Sequence, residues 1–206
     1  SGNAKASKGN FSLRAETIKA FISETNTSNI SNIEATGNVI INSQDIIAKS
    51  DFVRYNFYKK FILLKGDTQS IKSKKFRLQS KKFISFDDIN KIAESEGDVR
   101  LFLSGPISIS SKKIIANFDK INSNLISASA KGNVKIQTKS ETITCNSAKY
   151  NNKTNMIFLK DNVIIKRNNS VLTGEKGYMN LKTRTSKIES SQSQRVKGIF
   201  KPTKNR

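Results

Sequence analysis

The sequence lacks histidine and tryptophan, and it has two prolines and a single cysteine among 206 residues. Without histidine there is no Ser/His/Asp or Cys/His nucleophile system and no histidine metal site, and one cysteine is too few for a cysteine-rich zinc site. Cys145 lies two positions after Ile143 on one apolar face, which predicts a small buried side chain rather than a reactive thiol. A lone cysteine forms no disulfide within the chain, so cysteine usage does not indicate a compartment.

Long apolar runs are also missing. No segment approaches the roughly 20 residues that a membrane-spanning helix needs, and no signal peptide is visible at the start of the sequence. The carboxylates of Glu94, Glu96 and Asp98 lie near one turn, but the pattern does not indicate the paired geometry of acid–base catalysis. We therefore expect no enzymatic activity, no cofactor and no metal.

Basic residues outnumber acidic residues by 37 to 16, which gives a formal net charge of +21. Such a charge favours polyanionic partners, namely nucleic acid, an anionic membrane or an acidic glycolipid. Most lysines occupy the polar positions of alternating segments, where they also solvate one face and protect sheet edges from unwanted pairing. The basic residues are densest between positions 71 and 85.

A short alternating motif recurs along the chain. Residues 128–137 read as strand, tight turn and strand, because apolar residues alternate with polar ones on either side of Gly132-Asn133, and both turn residues tolerate positive φ. The same pattern occurs 95 positions earlier, at residues 35–41. Five such turn positions, at 37, 66, 97, 132 and 161, are separated by 29, 31, 35 and 29 residues. Periods of this length indicate stacked supersecondary units, each too small to bury its own apolar face.

Alternation with a period of two predicts an all-β fold, in the form of a roll, a sandwich or a solenoid. We expect residues 1–10 to form a flexible arm, residues 11–202 to form one β domain with a possible seam near 104–106, and residues 203–206 to be a flexible tail. Residues 17–23 fit either a strand or a short helix. Gly174 and Gly177 are expected in turns.

The repeated motif resembles the OstA-like family, which comprises the lipopolysaccharide-transport proteins LptA and LptC and the N-terminal domain of LptD. The resemblance is clearest over residues 126–202 and weaker over residues 30–125. It is carried by Ala35-Thr-Gly-Asn-Val-Ile-Ile41, by Ala130-Lys-Gly-Asn-Val-Lys-Ile136, by the tyrosine, isoleucine and leucine spacings within 55–64 and 150–159, by residues 162–165, and by Arg195-Val-Lys-Gly-Ile-Phe-Lys-Pro202.

This resemblance implies an open, V-shaped antiparallel β-jellyroll built from repeated strand-turn-strand units. It implies a periplasmic protein, with any signal peptide or anchor already removed, that is not an enzyme. Family members shield the lipid A acyl chains of lipopolysaccharide in a groove. They join end to end with copies of themselves and with LptC-like and LptD-like jellyrolls, forming a bridge from inner to outer membrane. The sequence leaves open which member of the family this is.

The same resemblance assigns roles to particular residues. Apolar positions that alternate along the strands would line the lipid groove or fill the core on the same face, two roles that the sequence does not separate: Val39, Ile41, Ile62, Leu64, Val99, Leu101, Val134, Ile136, Ile157, Leu159, Val163 and Ile165. Basic residues at the rim would meet the phosphates and acidic sugars of the headgroup: Lys72, Lys74, Lys75, Lys81 and Lys82. Residues 11–15 with 17–23, and residues 187–200, would supply the two open sheet edges for assembly.

Two other functions stay open. The first is a nucleic-acid-binding module driven by charge, although no helix-turn-helix, RNP-like aromatic pair or basic helix supports it. The second is a structural β-repeat protein that has edges and repeats but does not bind lipid. Lipid binding that persists at high salt separates the transport function from both, because binding through charge alone weakens steeply with salt.

Overall fold

The structure is a computed structural model that describes residues 2–23, 29–103, 106–167, 170–189 and 197–200. These residues form seventeen β-strands and no α-helix. None of them belongs to a helix that is long and apolar enough to span a bilayer. In chain order the strands are β1 (Ala4–Lys8), β2 (Phe11–Ala15), β3 (Thr17–Ile22), β4 (Ile30–Ser43), β5 (Ile46–Asn56), β6 (Phe61–Lys65), β7 (Gln69–Lys72), β8 (Phe76–Ser80), β9 (Phe83–Asp87), β10 (Ile92–Leu103), β11 (Ser108–Phe118), β12 (Leu125–Gln137), β13 (Glu141–Asn151), β14 (Met156–Arg167), β15 (Ser170–Asn180), β16 (Thr185–Glu189) and β17 (Lys197–Phe200).

The strands pair antiparallel, mostly with their neighbours in sequence, and form one continuous sheet. From β10 to β16 each strand pairs with the next along the chain. Apolar side chains at every second position bury one face, and lysine, asparagine and serine cover the other. The all-β fold expected from the alternation, and the antiparallel pairing that the resemblance implies, are thereby confirmed.

Each long strand bends once near its middle. The pairing register slips at the bend, between Thr36 and Val39 in β4 and between Glu96 and Val99 in β10. Such a slip is a β-bulge, which bends a strand without ending it. Two pairs of short strands each take the place of one bent strand. β6 and β7 both pair with β5, and β8 and β9 both pair with β10, so each pair acts as the two halves of one bent strand.

The bends divide the sheet into two arms that share the long strands. Arm 1 consists of β3, β6, β9 and β16, the first halves of β4, β10, β12 and β14, and the second halves of β5, β11, β13 and β15. Arm 2 consists of β1, β2, β7, β8, β17 and the remaining halves. Side chains from both arms enter the same buried clusters, so the inner faces of the arms pack on one another. One cluster lies toward each end of the sheet, and Leu78 packs against both.

The Gly-Asn and Gly-Asp motifs lie at the bends. Gly132 and Asn133 have φ values of 76° and 51° and lie inside β12, and Gly37 and Asn38 lie in the same way inside β4. The turn predicted at these positions therefore bends one strand instead of joining two strands. Positive φ serves both purposes, since a tight turn and a bulge need the same left-handed backbone.

Other local expectations differ from the structure. Residues 4–8, expected in a flexible arm, form β1 and pair with β2. Residues 17–22 form β3, so the helical alternative is wrong. Gly174 and Gly177 lie within β15 and not in turns. In each case pairing with a neighbouring strand decides the conformation, and the local sequence does not reveal that pairing.

Two expectations fall partly or wholly outside the described residues. Of the possible seam, Ser104 and Gly105 are not described. The strands that flank it pair with each other on both sides of their bends, and the Leu103 N–H donates to the Ile107 carbonyl at 3.0 Å. The tail at residues 203–206 also lies outside the described part of the chain.

Gly97 offers a test of the bends. Its φ is +89°, and an added Cβ would lie 2.6 Å from the Lys82 Cβ and 2.7 Å from the Lys82 backbone nitrogen. We expect Gly97→Ala to lower the free energy of unfolding by about 2–4 kcal/mol, because it combines left-handed strain with a clash against backbone. Denaturant titration measures this loss.

Gly9→Ala is the matched control. Gly9 also has positive φ, at +56°, but an added Cβ there meets nothing within 4 Å. We expect a loss of about 1 kcal/mol from the backbone conformation alone. Equal losses in the two variants would show that the close crossing of Gly97 and Lys82 does not hold the bend.

Candidate apolar groove

The twelve predicted lining residues all lie on the inner faces of the arms. Ile62 and Leu101 are partly buried against the two clusters. The other ten are buried within the clusters: Val39, Ile41, Leu64, Val99, Val134, Ile136, Ile157, Leu159, Val163 and Ile165. Most of the predicted positions are therefore core residues, both next to the bends, as at Val39 and Val99, and nearer the tips, as at Ile136 and Ile157.

One inner row of arm 1 runs across the strands without interruption, and we call it the arm 1 row. Each member is the cross-strand partner of the next. In order across the sheet its members are Ile33, Tyr55, Ile62, Phe86, Ala93, Ala116, Ala128, Tyr150, Ile157 and Met179.

A matching arm 2 row crosses the other arm. Its members are Ala6, Leu13, Ile41, Ala48, Ile71, Leu78, Leu101, Ile109, Ile136, Ile143, Ile165 and Leu172. Twelve strands at about 4.8 Å spacing make this row about 50 Å long. The two rows form a continuous apolar face. Toward each end of the arm 2 row most of its members are buried in the clusters, whereas Ile71, Leu78, Leu101 and Ile109 in its middle are partly exposed.

The arm 1 row changes size in its middle. Ala93, Ala116 and Ala128 stand side by side on β10, β11 and β12, and Phe86 and Tyr150 bound them on either side. We call these three residues the alanine stretch. A methyl group fills much less space than the isoleucine or aromatic side chains beside it.

The same strands continue beyond their bends into arm 2, where Leu101 pairs with Ile109. Both side chains stay partly buried, whereas Ile136 and Ile143 farther along the same row are fully buried. The arms therefore leave apolar surface uncovered opposite the alanine stretch. The alternation within residues 128–137 predicts Ala128 on the buried face, but the register that brings the three alanines together follows from the structure alone.

A polar contact joins the arms toward the C-terminal end. Glu141, on β13 in arm 2, accepts hydrogen bonds at Oε2 from Arg167 Nη2 at 2.7 Å and Nε at 3.2 Å. Its Oε1 accepts a hydrogen bond from the Ser186 hydroxyl, which lies on β16 in arm 1. We call this contact the polar bridge. No sequence pattern predicts the polar bridge, because Glu141 and Ser186 are 45 positions apart.

Cys145 is buried, as predicted, and it has a structural partner. Its thiol donates to the Ser147 carbonyl at 3.2 Å, at the bend of β13. Ser50 and Ser111 occupy the same place at other bends and donate to carbonyls two residues farther on, at 3.2 and 3.1 Å. Burial raises the pKa of the Cys145 thiol to about 11, so the side chain acts as a neutral hydrogen-bond donor.

The five candidate basic residues do not form one cluster. Lys72, Lys74 and Lys75 lie at the β7–β8 hairpin, at the tip of arm 2. Lys81 and Lys82 lie at the bend, a β-strand of five residues or about 17 Å away.

Three of these lysines pair with acidic groups. Lys74 lies 3.1 Å from Asp45 and Lys81 lies 3.0 Å from Asp98. Lys82 bonds Glu96, and this contact lowers the pKa of the Glu96 carboxyl. All three pairs are solvent-exposed on the lysine side, so water screens them.

A separate open depression of about 590 Å³ lies on the outer side of arm 1, beside β3. Glu34 and Arg54, which line it, alternate with the buried Ala35 and Val53, so it faces away from the groove. The full lining consists of Phe21, Ile22, Ser23, Ser31, Asn32, Glu34 and Arg54.

This architecture defines a class of protein: an antiparallel β-jellyroll whose strands bend to enclose an apolar lining. The family described as LptA/(LptD N-terminal domain) LPS transport protein matches the sequence twice, over residues 1–84 and over residues 77–185. The chain therefore belongs to this lipopolysaccharide-transport family, as the resemblance predicted.

A solved structure shares the fold. LptH from Pseudomonas aeruginosa, described as the LptA homologous periplasmic component of the conserved lipopolysaccharide transport device, superimposes with a TM-score of 0.54 at 18% sequence identity. The match covers 62% of this chain and 95% of that chain. The β-jellyroll predicted from the sequence is confirmed, and this chain continues beyond the length that LptH matches. No curated protein matches the sequence.

The polar bridge gives a prediction for stability. The Glu141 side chain is 1% exposed and Arg167 is 45% exposed. We expect Arg167→Met to lower the free energy of unfolding by about 2–3 kcal/mol, because it leaves a buried carboxylate without its guanidinium, although solvent at Arg167 moderates the loss.

Arg54→Met is the control for this measurement. It removes the Arg54–Glu34 ion pair, whose partners are 55% and 22% exposed, and we expect a loss below about 1 kcal/mol in the same denaturant titration. If Arg167→Met costs no more than Arg54→Met, the polar bridge does not hold the arms together.

Proposed function

We propose that this protein is a non-catalytic lipopolysaccharide-transport component of the periplasm that shields lipid A acyl chains between its two arms. Membership of the lipopolysaccharide-transport family supports the transport role, and the LptA-homologous periplasmic LptH, with the same fold, supports the location. The partly exposed middle of the two apolar rows supports the shielding role, because it gives a hydrocarbon surface that crosses several strands.

The alanine stretch is the observation that carries the proposal. A protein that needed only a core would gain stability by filling this space with larger side chains. Instead Leu101 and Ile109 keep part of their apolar surface uncovered. An acyl chain of a dozen methylenes buried there would gain roughly 10 kcal/mol, at about 0.8 kcal/mol each, before entropic costs.

The polar part of the lipid would lie at the arm tips. Lys72, Lys74 and Lys75 at the tip of arm 2 are placed to meet phosphates and acidic sugars while the acyl chains extend between the arms. Lys81 and Lys82 are at the opposite end of the strand, next to the bend and away from the opening between the arm tips. Within the five predicted rim residues, we therefore assign headgroup binding to the tip lysines.

Filling the groove tests the proposal. We expect Ala116→Phe to weaken displacement of an apolar fluorescent probe by lipopolysaccharide about tenfold or more, because the ring occupies the space left by the alanine stretch. Ile115→Phe is the control, since Ile115 is next in the chain and faces outward, opposite Glu94. Unfolding midpoints of both variants confirm that they fold.

The same assay separates the alternative functions. Displacement by lipopolysaccharide that survives high salt supports burial of acyl chains. Displacement by duplex DNA at low salt, lost at high salt, would mean that the +21 charge binds polyanions and that the inner face is only a core. Equal displacement from Ala116→Phe and the native protein would also contradict the proposal.

We further propose that copies of the chain, and LptC-like and LptD-like jellyrolls, join end to end through the sheet edges. Within the described residues β3 pairs only with β4, and β16 pairs only with β15. β3 runs from the bends toward the tips and β16 runs from the tips toward the bends. An arm 1 joint between β16 of one copy and β3 of the next would therefore continue the antiparallel pattern.

Charge on the β3 edge tests this assembly. Phe21 and Ile22 are 42% and 59% exposed there. We expect Phe21→Asp/Ile22→Asp to abolish the higher oligomers measured by light scattering. Phe158→Asp is the control, because Phe158 is 51% exposed but lies in the middle of the sheet.

Deletion of residues 195–206 tests the other end, since it removes β17. We expect it also to reduce the oligomers. If the deletion has no effect and the β3 variant does, the joint lies in arm 1. Unchanged oligomers in both variants would contradict end-to-end assembly.

A further inference from the structure

The hairpin tips of arm 1 that the structure describes share one construction. Each of five turns begins at an Asx residue whose side-chain oxygen accepts backbone N–H groups of the turn. At Asp87, for example, Oδ1 accepts from Ile89 at 3.0 Å and from Asn90 at 2.8 Å. The five Asx residues are Asn56, Asp87, Asp119, Asn151 and Asn180. Four positions later each turn closes with a left-handed residue: Lys60, Lys91, Ser123, Asn155 and Arg184.

The apex residue, two positions after the Asx residue, differs among these tips in a regular way. It is Tyr58, Ile89 and Ile121 in three consecutive hairpins of the sheet, and Lys153 and Lys182 in the next two. The three apolar apex side chains are 58%, 52% and 95% exposed. The two lysines show that the turn itself does not need an apolar residue at this position.

Neighbouring tips are tied to one another. The Asp88 N–H donates to the Lys60 carbonyl at 3.0 Å, and the Phe118 N–H donates to the Lys91 carbonyl at 2.8 Å. A hairpin is two strands wide, so adjacent apex residues lie about 10 Å apart and the three span about 20 Å. The apolar apex residues therefore form a straight row on a backbone that holds them in place.

Basic side chains accompany this row. The three tips that carry the row contain four lysines and three aspartates, and across all five tips Lys and Arg number seven and Asp numbers three. The Asp87 and Asp119 carboxylates accept backbone N–H groups of their own turns, which lowers their pKa and keeps them charged, and Asp88 lies 2.5 Å from the Lys91 ammonium. The tips thus present exposed apolar side chains beside unneutralised lysines such as Lys59, Lys60 and Lys120.

We propose that the tips of arm 1 dock on an anionic bilayer surface, with Tyr58, Ile89 and Ile121 inserted at the lipid interface. Apolar and aromatic side chains flanked by lysine suit the boundary between headgroups and acyl chains. The lysines attract anionic lipid at the same level.

A membrane fits this row better than a protein partner does. Three separate points along a line offer much less than the 1,200 Å² or so that a stable protein interface buries. A fluid lipid surface accepts such points without needing a complementary shape. Docking at this rim would place the mouth between the arms next to the bilayer.

The absence of tryptophan makes a direct test possible. In Ile121→Trp the only tryptophan is at an apex, and in Phe158→Trp it is on the outer face of β14, 51% exposed in the native chain. Vesicles of phosphatidylcholine and phosphatidylglycerol in about a two-to-one ratio contain no lipopolysaccharide and supply the anionic surface. We expect the emission of Ile121→Trp to shift to shorter wavelength and brominated lipid to quench it, with no change in Phe158→Trp.

Removal of the apex side chains completes the test. We expect Tyr58→Ser/Ile89→Ser/Ile121→Ser to partition into these vesicles at least about tenfold more weakly. The control variant Ile46→Ser/Ile47→Ser/Phe158→Ser, whose native residues are 42%, 43% and 51% exposed, should stay within about twofold of the native protein.

Three outcomes would overturn the proposal: no vesicle binding, equal losses in the two triple variants, or binding that high salt abolishes and the apex substitutions do not affect. Ala116→Phe should bind vesicles like the native chain. This variant distinguishes membrane docking from lipid binding between the arms, because either kind of binding can be lost while the other is kept.

Discussion

Every strand that serves both arms must bend without losing its place in the hydrogen-bonded ladder, and the rest of the structure depends on this constraint. On alternate strands, residues with a left-handed backbone conformation produce this bend, as at Gly37 and Gly132. A side chain of the adjacent strand lies directly over each of these glycines, Glu16 over Gly37 and Lys112 over Gly132, so the bends stack from strand to strand. Because the bends are aligned, the inner faces of the arms meet along the whole sheet, and the core and the apolar rows follow from that alignment.

Core residues and the candidate groove residues occupy the same face of the sheet, and they differ in how completely the opposite arm covers them. Where isoleucines meet, as at Ile136 and Ile143, the arms exclude solvent completely. At the alanine stretch they do not, and the protein gives up burial that a larger side chain would supply. The polar bridge lies on the closed side of this boundary. Its buried carboxylate binds a partner from each arm, which fixes the separation of the arms where no ligand is expected to enter.

Much of this architecture was readable from the sequence, because alternation with a period of two assigns the inner face residue by residue. All twelve predicted lining positions are on that face. The Gly-Asn pattern marks the positions of the bends but predicts turns there, because Gly-Asn adopts the same left-handed backbone conformation in a turn and in a bend. The reversals at the arm 1 tips carry an Asx residue followed by a left-handed lysine, serine, asparagine or arginine, which is a weaker signal than glycine. Contacts set by long-range register, such as Glu141 with Ser186 or Ala93 with Ala116, leave no local trace in the sequence.

The family match falls on the chain twice, yet the sheet has no boundary between the two copies. The matches overlap at residues 77–84, and this segment includes Leu78, the residue that packs against both clusters. Leu78 pairs with Ile71 on one side and Leu101 on the other, so the arm 2 row crosses the overlap without a break. Two family units joined in this way share one sheet with one inner face. Antiparallel pairing continues from the first unit to the second on both sides of β8. An end-to-end joint between separate copies would repeat within an assembly what the covalent chain already does at Leu78.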